Sequence, residues 1–221
     1  MLRTLLLVLS LSGCLLAQAP ASGKRARRLL IHNAIVVDGN GTPASGPKDT
    51  VIENNLIADV IPLDAVASAR GGRAPVQADT VIDATGKYVL PGLINAHAHL
   101  QEDRAGFGLI RSMELHQEAG FHPIRIIQQA TGNNAKILGQ EEKLGRVRAG
   151  FTADLIVVNG NPLENLKVLY PTGTEEIRDG KQVHSGGVEW TIKDGIPYHG
   201  PTLMARVKEI VAQARKSYSS K

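Results

Sequence analysis

From Leu29 onward the apolar residues fall in short runs closed by turn-forming residues, a pattern that predicts strands. Leu29-Leu30-Ile31-His32 and Ala34-Ile35-Val36-Val37 are two such runs, interrupted by Asn33 and ended by Asp38-Gly39-Asn40-Gly41. Residues 49–53 and 56–61 flank Asn54-Asn55, a pair suited to a two-residue hairpin turn. Residues 64–78 are rich in Ala, Gly and Arg and read as a surface excursion. Residues 80–83 and 87–90 then bracket Ala84-Thr85-Gly86. Residues 22–90 therefore read as one hairpin-rich unit.

The period changes after Pro91-Gly92. Residues 93–99 continue as a short strand, 112–119 read as a helix stopped by Gly120, and Pro123 opens a second helix through Ala130. Asn134 to Leu138 adds a helical turn ended by Gly139. Strands return at 154–158, and at 176–178 and 182–184 around Asp179-Gly180-Lys181, an Asp-Gly hairpin signal. Residues 91–144 and 145–200 are thus two further units. Gly200-Pro201 introduces a last helix, 201–221, with Leu203, Val207, Ile210, Val211 and Ala214 at helical spacing. Two readings of it stand: a helix docked on the body with a solvated basic face, or a basic amphipathic helix at a membrane surface.

Composition narrows the classes. A length of 221 residues fits one domain or two small ones, and 43% apolar with 21% charged residues excludes a disordered or collagen-like chain. The net charge of +4 is concentrated near Lys24–Arg28 and in the last twenty residues, and aromatics are 4%. Basic residues without interleaved aromatics argue against a nucleic-acid partner. One cysteine excludes an intrachain disulfide framework and a cysteine zinc knuckle.

Residues 1–21 have the basic, apolar, small-residue order of a secretory leader, with Arg3, then 5–11, then Ala17-Gln18-Ala19-Pro20-Ala21. Its apolar stretch is shorter than the roughly 20 residues a membrane span needs. Leu11-Ser12-Gly13-Cys14 also resembles a lipoprotein box, which would put a lipid anchor on Cys14. Either processing predicts a secreted or periplasmic protein, and no later run is long enough for a transmembrane helix.

The candidate chemistry is His97-Ala98-His99. Residues two apart on a strand share a face, so both imidazoles can hold one divalent metal or help bridge two. Imidazole favours zinc and also suits nickel, iron or copper. A bare His-x-His is as a rule a surface pair. This one comes after Pro-Gly at a strand end, where barrel strands deliver catalytic ligands.

The stretch Ile82-Asp83-Ala84-Thr85-Gly86-Lys87-Tyr88-Val89-Leu90-Pro91-Gly92-Leu93-Ile94-Asn95-Ala96-His97-Ala98-His99 resembles the first-strand signature of the metal-dependent amidohydrolase superfamily, above all its imidazolonepropionase and prolidase-like branch. Ala130-Thr131-Gly132-Asn133-Asn134-Ala135-Lys136-Ile137-Leu138-Gly139 and residues 145–158 resemble the family's last barrel helix and the strand that re-enters its small β-sandwich. Asn161-Pro162-Leu163 and residues 177–181 continue the likeness.

The resemblance implies an α/β fold, a (β/α)8 TIM-like barrel with a composite β-sandwich built from both chain ends. It implies one or two divalent ions, commonly zinc, on His97 and His99, and small amide, lactam or dipeptide-like substrates hydrolysed at a carbon–nitrogen bond. In the family, further ligands come from a lysine or glutamate and two histidines on later strands, and an aspartate of the eighth strand shuttles protons. Asp103 is the candidate for that aspartate, because Ala105-Gly106-Phe107-Gly108-Leu109 resembles the residues after it in relatives.

The departure from the family is large. A full barrel takes about 250 residues and each βα unit about 30. Only a dozen residues separate His99 from Ser112. What remains is a barrel remnant, first strand and last helices only, and residues 93–140 are expected to pack poorly. His116 and His122 read as surface or capping residues; His32, His184 and His199 read as structural. Three functions stay open: an impaired or inactive amidohydrolase remnant, a small working hydrolase on His97, His99 and Asp103, and a non-catalytic extracytoplasmic β-sandwich binding module.

Overall fold

β1 (Arg28–Val36) runs through the main sheet, with β2 (Ser45–Glu53) antiparallel along one side. On its other side lie β4 (Thr80–Asp83) and then β5 (Tyr88–Pro91), both parallel to it and placed one after the other. β3 (Leu56–Pro62) extends the β2 edge. β6 (Leu155–Val158), β9 (Val188–Lys193) and β10 (Ile196–His199) extend the β5 edge, each antiparallel to its neighbour. The computed structural model describes residues 21–64, 66, 76–96 and 107–219. The leader with Cys14, and His97, His99 and Asp103, lie outside the described residues.

β1 is one strand where the sequence reads as two runs. Asn33 sits at φ 60° inside it, and the register shifts between Ile31 and Ala34. Asparagine tolerates this left-handed conformation better than most side chains, and here its side chain also donates across the fold to Thr85 Oγ1 at 2.9 Å. Buried Asp49 holds the bulge by accepting from the Asn33 N–H at 3.1 Å and pairing with His32 Nδ1 at 2.8 Å.

The expected β-sandwich takes the form of one curled sheet of eight strands. The β2–β3 hairpin folds back over β6: the Ile57 N–H donates to Phe151 O at 2.8 Å, and the Ala153 N–H donates to Asn55 O at 2.8 Å. Gly195, at φ 74°, packs against the same hairpin turn. A Cβ there would strike the Asn54 carbonyl, and its N–H donates to Ala153 O at 3.0 Å. Leu29, Ile31, Ile52, Ile57, Leu155 and Ile192 fill the core enclosed by the curl. Burial of one such side chain is worth about 1.5–3 kcal/mol.

β6 alternates between two cores, with Leu155 and Val157 in the curl and Ile156 and Val158 in a second cluster on the outer face. Helices cover that outer face: α1 (Phe107–Glu118) and α2 (Pro123–Gln128), the latter continued by a π turn (Gln129–Asn133) and α3 (Asn134–Ile137). Ile110, Met113, Ile126 and Ile127 are buried there. The expectation of poor packing over 93–140 is therefore corrected for these helices, because a fully formed sheet face is available to receive their apolar sides. α1 also starts at Phe107, five residues before the expected position, and Phe107 packs against Tyr170.

Three further expectations change. Residues 92–96 form no strand, since no neighbouring ladder takes their backbone groups. β7 (Thr174–Arg178) and β8 (Lys181–Ser185) form the expected hairpin, yet as a separate two-stranded sheet. The C-terminal helix α4 (Gly200–Ser219) is not docked along its length: residues 201–216 and Tyr218 are all exposed. No described helix is long and apolar enough to cross a membrane.

Candidate functional site

The chain leaves β5 at Pro91 and crosses the end of β6. The Gly92 N–H donates to Asp154 O at 2.8 Å. Two residues on, the Ile94 N–H donates to Ala130 O at 2.8 Å, and Ile94 O accepts from Asn134 Nδ2 at 2.6 Å. The Pro91-Gly92-Leu93-Ile94 motif is thereby clamped onto the Ala130-Thr131-Gly132-Asn133-Asn134 motif. Backbone groups that a barrel strand would pair with its neighbours are paired here with a helix end.

The π turn supplies the clamp. π turns are single-turn insertions that free local backbone groups and often occur at functional sites. Thr131 is fully buried and its hydroxyl returns to Ile127 O at 2.6 Å. Gly132 is required by close approach: a Cβ there would lie 2.8 Å from Gly39 O. The loop at Gly39, the π turn and the loop at Gly145 thus meet backbone to backbone.

Below the clamp opens a cleft of about 740 Å³. Leu93, Ile94, Leu109, Leu138 and Leu144 give it an apolar wall, and Asp154 and Lys193 lie on it. Asp154 Oδ1 accepts from the Asp194 N–H at 2.7 Å, and its Oδ2 from Lys193 Nζ. Asp194 in turn receives Arg25 Nη2 at 2.9 Å and Asn55 Nδ2 at 3.1 Å. The Arg25 hydrogen bond, then that of Asn55, holds the Asp194 carboxyl below the usual carboxylate range. Away from the cleft, against the outer-face cluster, burial and then the Glu114 charge raise the Tyr170 phenol above its ordinary value.

Asp154 and Asn134 are site residues that the sequence pattern does not single out. Asp154 reads only as a strand start and Asn134 only as a helix start, and nothing local in either reports a contact made across the fold. The described histidines are engaged elsewhere. His32 pairs with Asp49 at 2.8 Å, His184 with Glu175 at 2.9 Å, and His199 with Thr202 at 2.7 Å. His116 meets Gln129 Oε1 at 3.1 Å, and His122 precedes Pro123 and caps α2 through its carbonyl. Among the described residues, no three metal-ligating side chains come together. The donor pair His97 and His99, with Asp103, comes after the clamped segment and lies outside the described residues.

Residues 106–183, which carry the helices and the β6 re-entry, match the family model described as Amidohydrolase family. Over these residues the chain is similar to the amidohydrolase superfamily. The dihydroorotase of Thermoanaerobacter sp. strain X514 is 28% identical to this chain over 204 residues, 81% of this chain and 38% of its own length. The 5'-deoxyadenosine deaminase of Methanothermobacter thermautotrophicus is 39% identical over 72 residues, 33% of this chain and 14% of its own. The chain therefore spans well under half the length of these curated relatives. In fold, it is similar to a prolidase crystallised with N-methylphosphonate-L-proline, with a TM-score of 0.52 at 10% identity. That match covers 78% of this chain and 99% of the other.

Proposed function

We propose that the chain is a hydrolase of small amide, lactam or dipeptide-like carbon–nitrogen bonds by descent, with most of that catalytic power lost. The carrying observation is the clamp of Ile94 on Ala130 and Asn134, which joins the family's two motifs at the root of the His97-Ala98-His99 segment. His97 and His99 would hold a divalent ion, zinc being the family's usual one, and Asp103 is the candidate carboxylate of the same sequence segment. Such an ion lowers the pKa of bound water toward about 7 and polarises a carbonyl. Two imidazoles and one carboxylate make a minimal ligand set.

The loss of power follows from the fifteen residues that join β5 to α1, where the family carries most of its βα units. Those units supply the remaining ligands and the loops that orient substrate. Orientation alone is worth about 7–11 kcal/mol of barrier. The leader-like residues 1–21 support work outside the cytoplasm.

The test compares the chain with His97→Ala and His99→Ala on amide, lactam and dipeptide substrates with added zinc. The expected result is three equal rates, none above free zinc. A parent rate well above both variants would instead establish a small working hydrolase. A second reading, a non-catalytic extracytoplasmic binding module, is favoured by the exposed apolar stripe of α4.

A further inference from the structure

Beyond its first turn α4 presents a solvent-exposed apolar stripe. Leu203, Val207, Ile210, Val211, Ala214 and Tyr218 recur at spacings of three and four, and at 100° per residue they occupy, with Met204, an arc of about 120°. Val207, Ile210 and Tyr218 are 51%, 64% and 86% exposed. Twenty residues make a rod of about 30 Å. The tie to the body is at its first turn, where Leu203 and Met204 border the cleft and Thr202 meets His199.

Charge selects the occupant. Arg206 borders the stripe on one side, and Lys208 and Arg215 border it on the other. Glu209, the one acidic residue of α4, lies on the opposite face. Pairing with a second copy would bring these basic margins against each other, and like charges at such flanks repel. An anionic surface meets both margins favourably. The stripe is made of small and medium aliphatic side chains spread along the whole rod, not a few large anchors for a protein pocket. Tyr218, with an apolar ring and a polar tip, closes it as a residue suited to a membrane interface.

We propose that α4 is an interfacial helix that lies on anionic phospholipid surfaces, stripe inward and basic margins among the headgroups. This needs no hydrolytic activity and stands or falls apart from it. Long basic side chains at the margins keep their stems on the apolar layer and their heads in water. Helices of this pattern sit about 5–10 Å into the headgroup boundary.

The test is co-sedimentation of the full chain with vesicles of phosphatidylcholine alone or mixed with phosphatidylglycerol. Binding is expected to the mixed vesicles, weakening as salt rises. Arg206→Gln and Lys208→Gln should each lower partition about fivefold, the equivalent of about 1 kcal/mol per cation. Val207→Ser with Ile210→Ser should lower it more at unchanged charge. All four positions are solvent-exposed, so an unchanged denaturation midpoint keeps the comparison clean. Three results would overturn the proposal: no binding to mixed vesicles, binding that none of the substitutions moves, or a dimer in light scattering that Ile210→Ser dissociates.

Discussion

Val89 of β5 and Val157 of β6 are register partners in an antiparallel ladder, and both are fully buried. They come from the two ends of the chain, so this ladder is where the amino-terminal strands and the carboxy-terminal strands become one sheet. Without it, each end would expose an apolar sheet edge. The helices add to the same unit by covering the outer face of that ladder.

The first prediction rests on this union. Leu90→Ala and Leu155→Ala remove side chains from the outer and inner cores, one from the amino-terminal and one from the carboxy-terminal set of strands. Each should cost about 2–5 kcal/mol. Urea unfolding should still show one transition, shifted as a whole in both variants. Separate transitions would mean that the ends fold independently.

Gly132→Ala should destabilise the chain by about 1–3 kcal/mol, as overpacking does. In an ordinary helical position the same change is favourable by about 1 kcal/mol. The sign is reversed here because the added methyl meets the Gly39 carbonyl oxygen. The measurement is the denaturation midpoint, and a stabilised Gly132→Ala would show that the clamp yields.

Asp194 ties the β9–β10 turn to Arg25, and its carboxyl is held below the usual range by that contact. A group with a depressed folded pKa adds stability above its unfolded value and loses it as pH falls through the folded one. Asp194→Asn should therefore unfold at lower denaturant than the parent near pH 7. The gap should begin to close below about pH 4, where unfolded aspartate is protonated, and should vanish as pH falls through the depressed folded value. Added salt should narrow the gap as well, because both partners are partly exposed.

Zinc should bind weakly and come off readily with a chelator. Ligands lacking their supporting partners typically lose affinity by about 10–100-fold. Isothermal titration of the parent, His97→Ala and His99→Ala reads this directly. Stoichiometric zinc that survives chelation in the parent would point to further ligands.

The strands and hairpins are legible where turn chemistry is local. Asn54-Asn55 and Asp179-Gly180 mark their hairpins because the left-handed conformation at Asn54 and Asp179 is written into those residue types. The Asp194-Gly195 hairpin carries the same signal but escapes a reading of apolar runs, because Val188–Lys193 alternates apolar and polar residues in place of a solid apolar run.

By itself the sequence determined the short strands, the hairpin turns, the His97-Ala98-His99 pair and the family likeness, all of which are carried by neighbouring residues. The tertiary structure alone decided that β5 pairs β6, that Ile94 bonds to Ala130 and Asn134 while residues 92–96 form no strand, and that α4 is exposed beyond its first turn. Each of these depends on where a distant segment supplies a hydrogen-bond partner or an apolar face. A residue pattern states what a segment needs to bury or pair, and only the assembled fold determines whether a partner is there to meet that need.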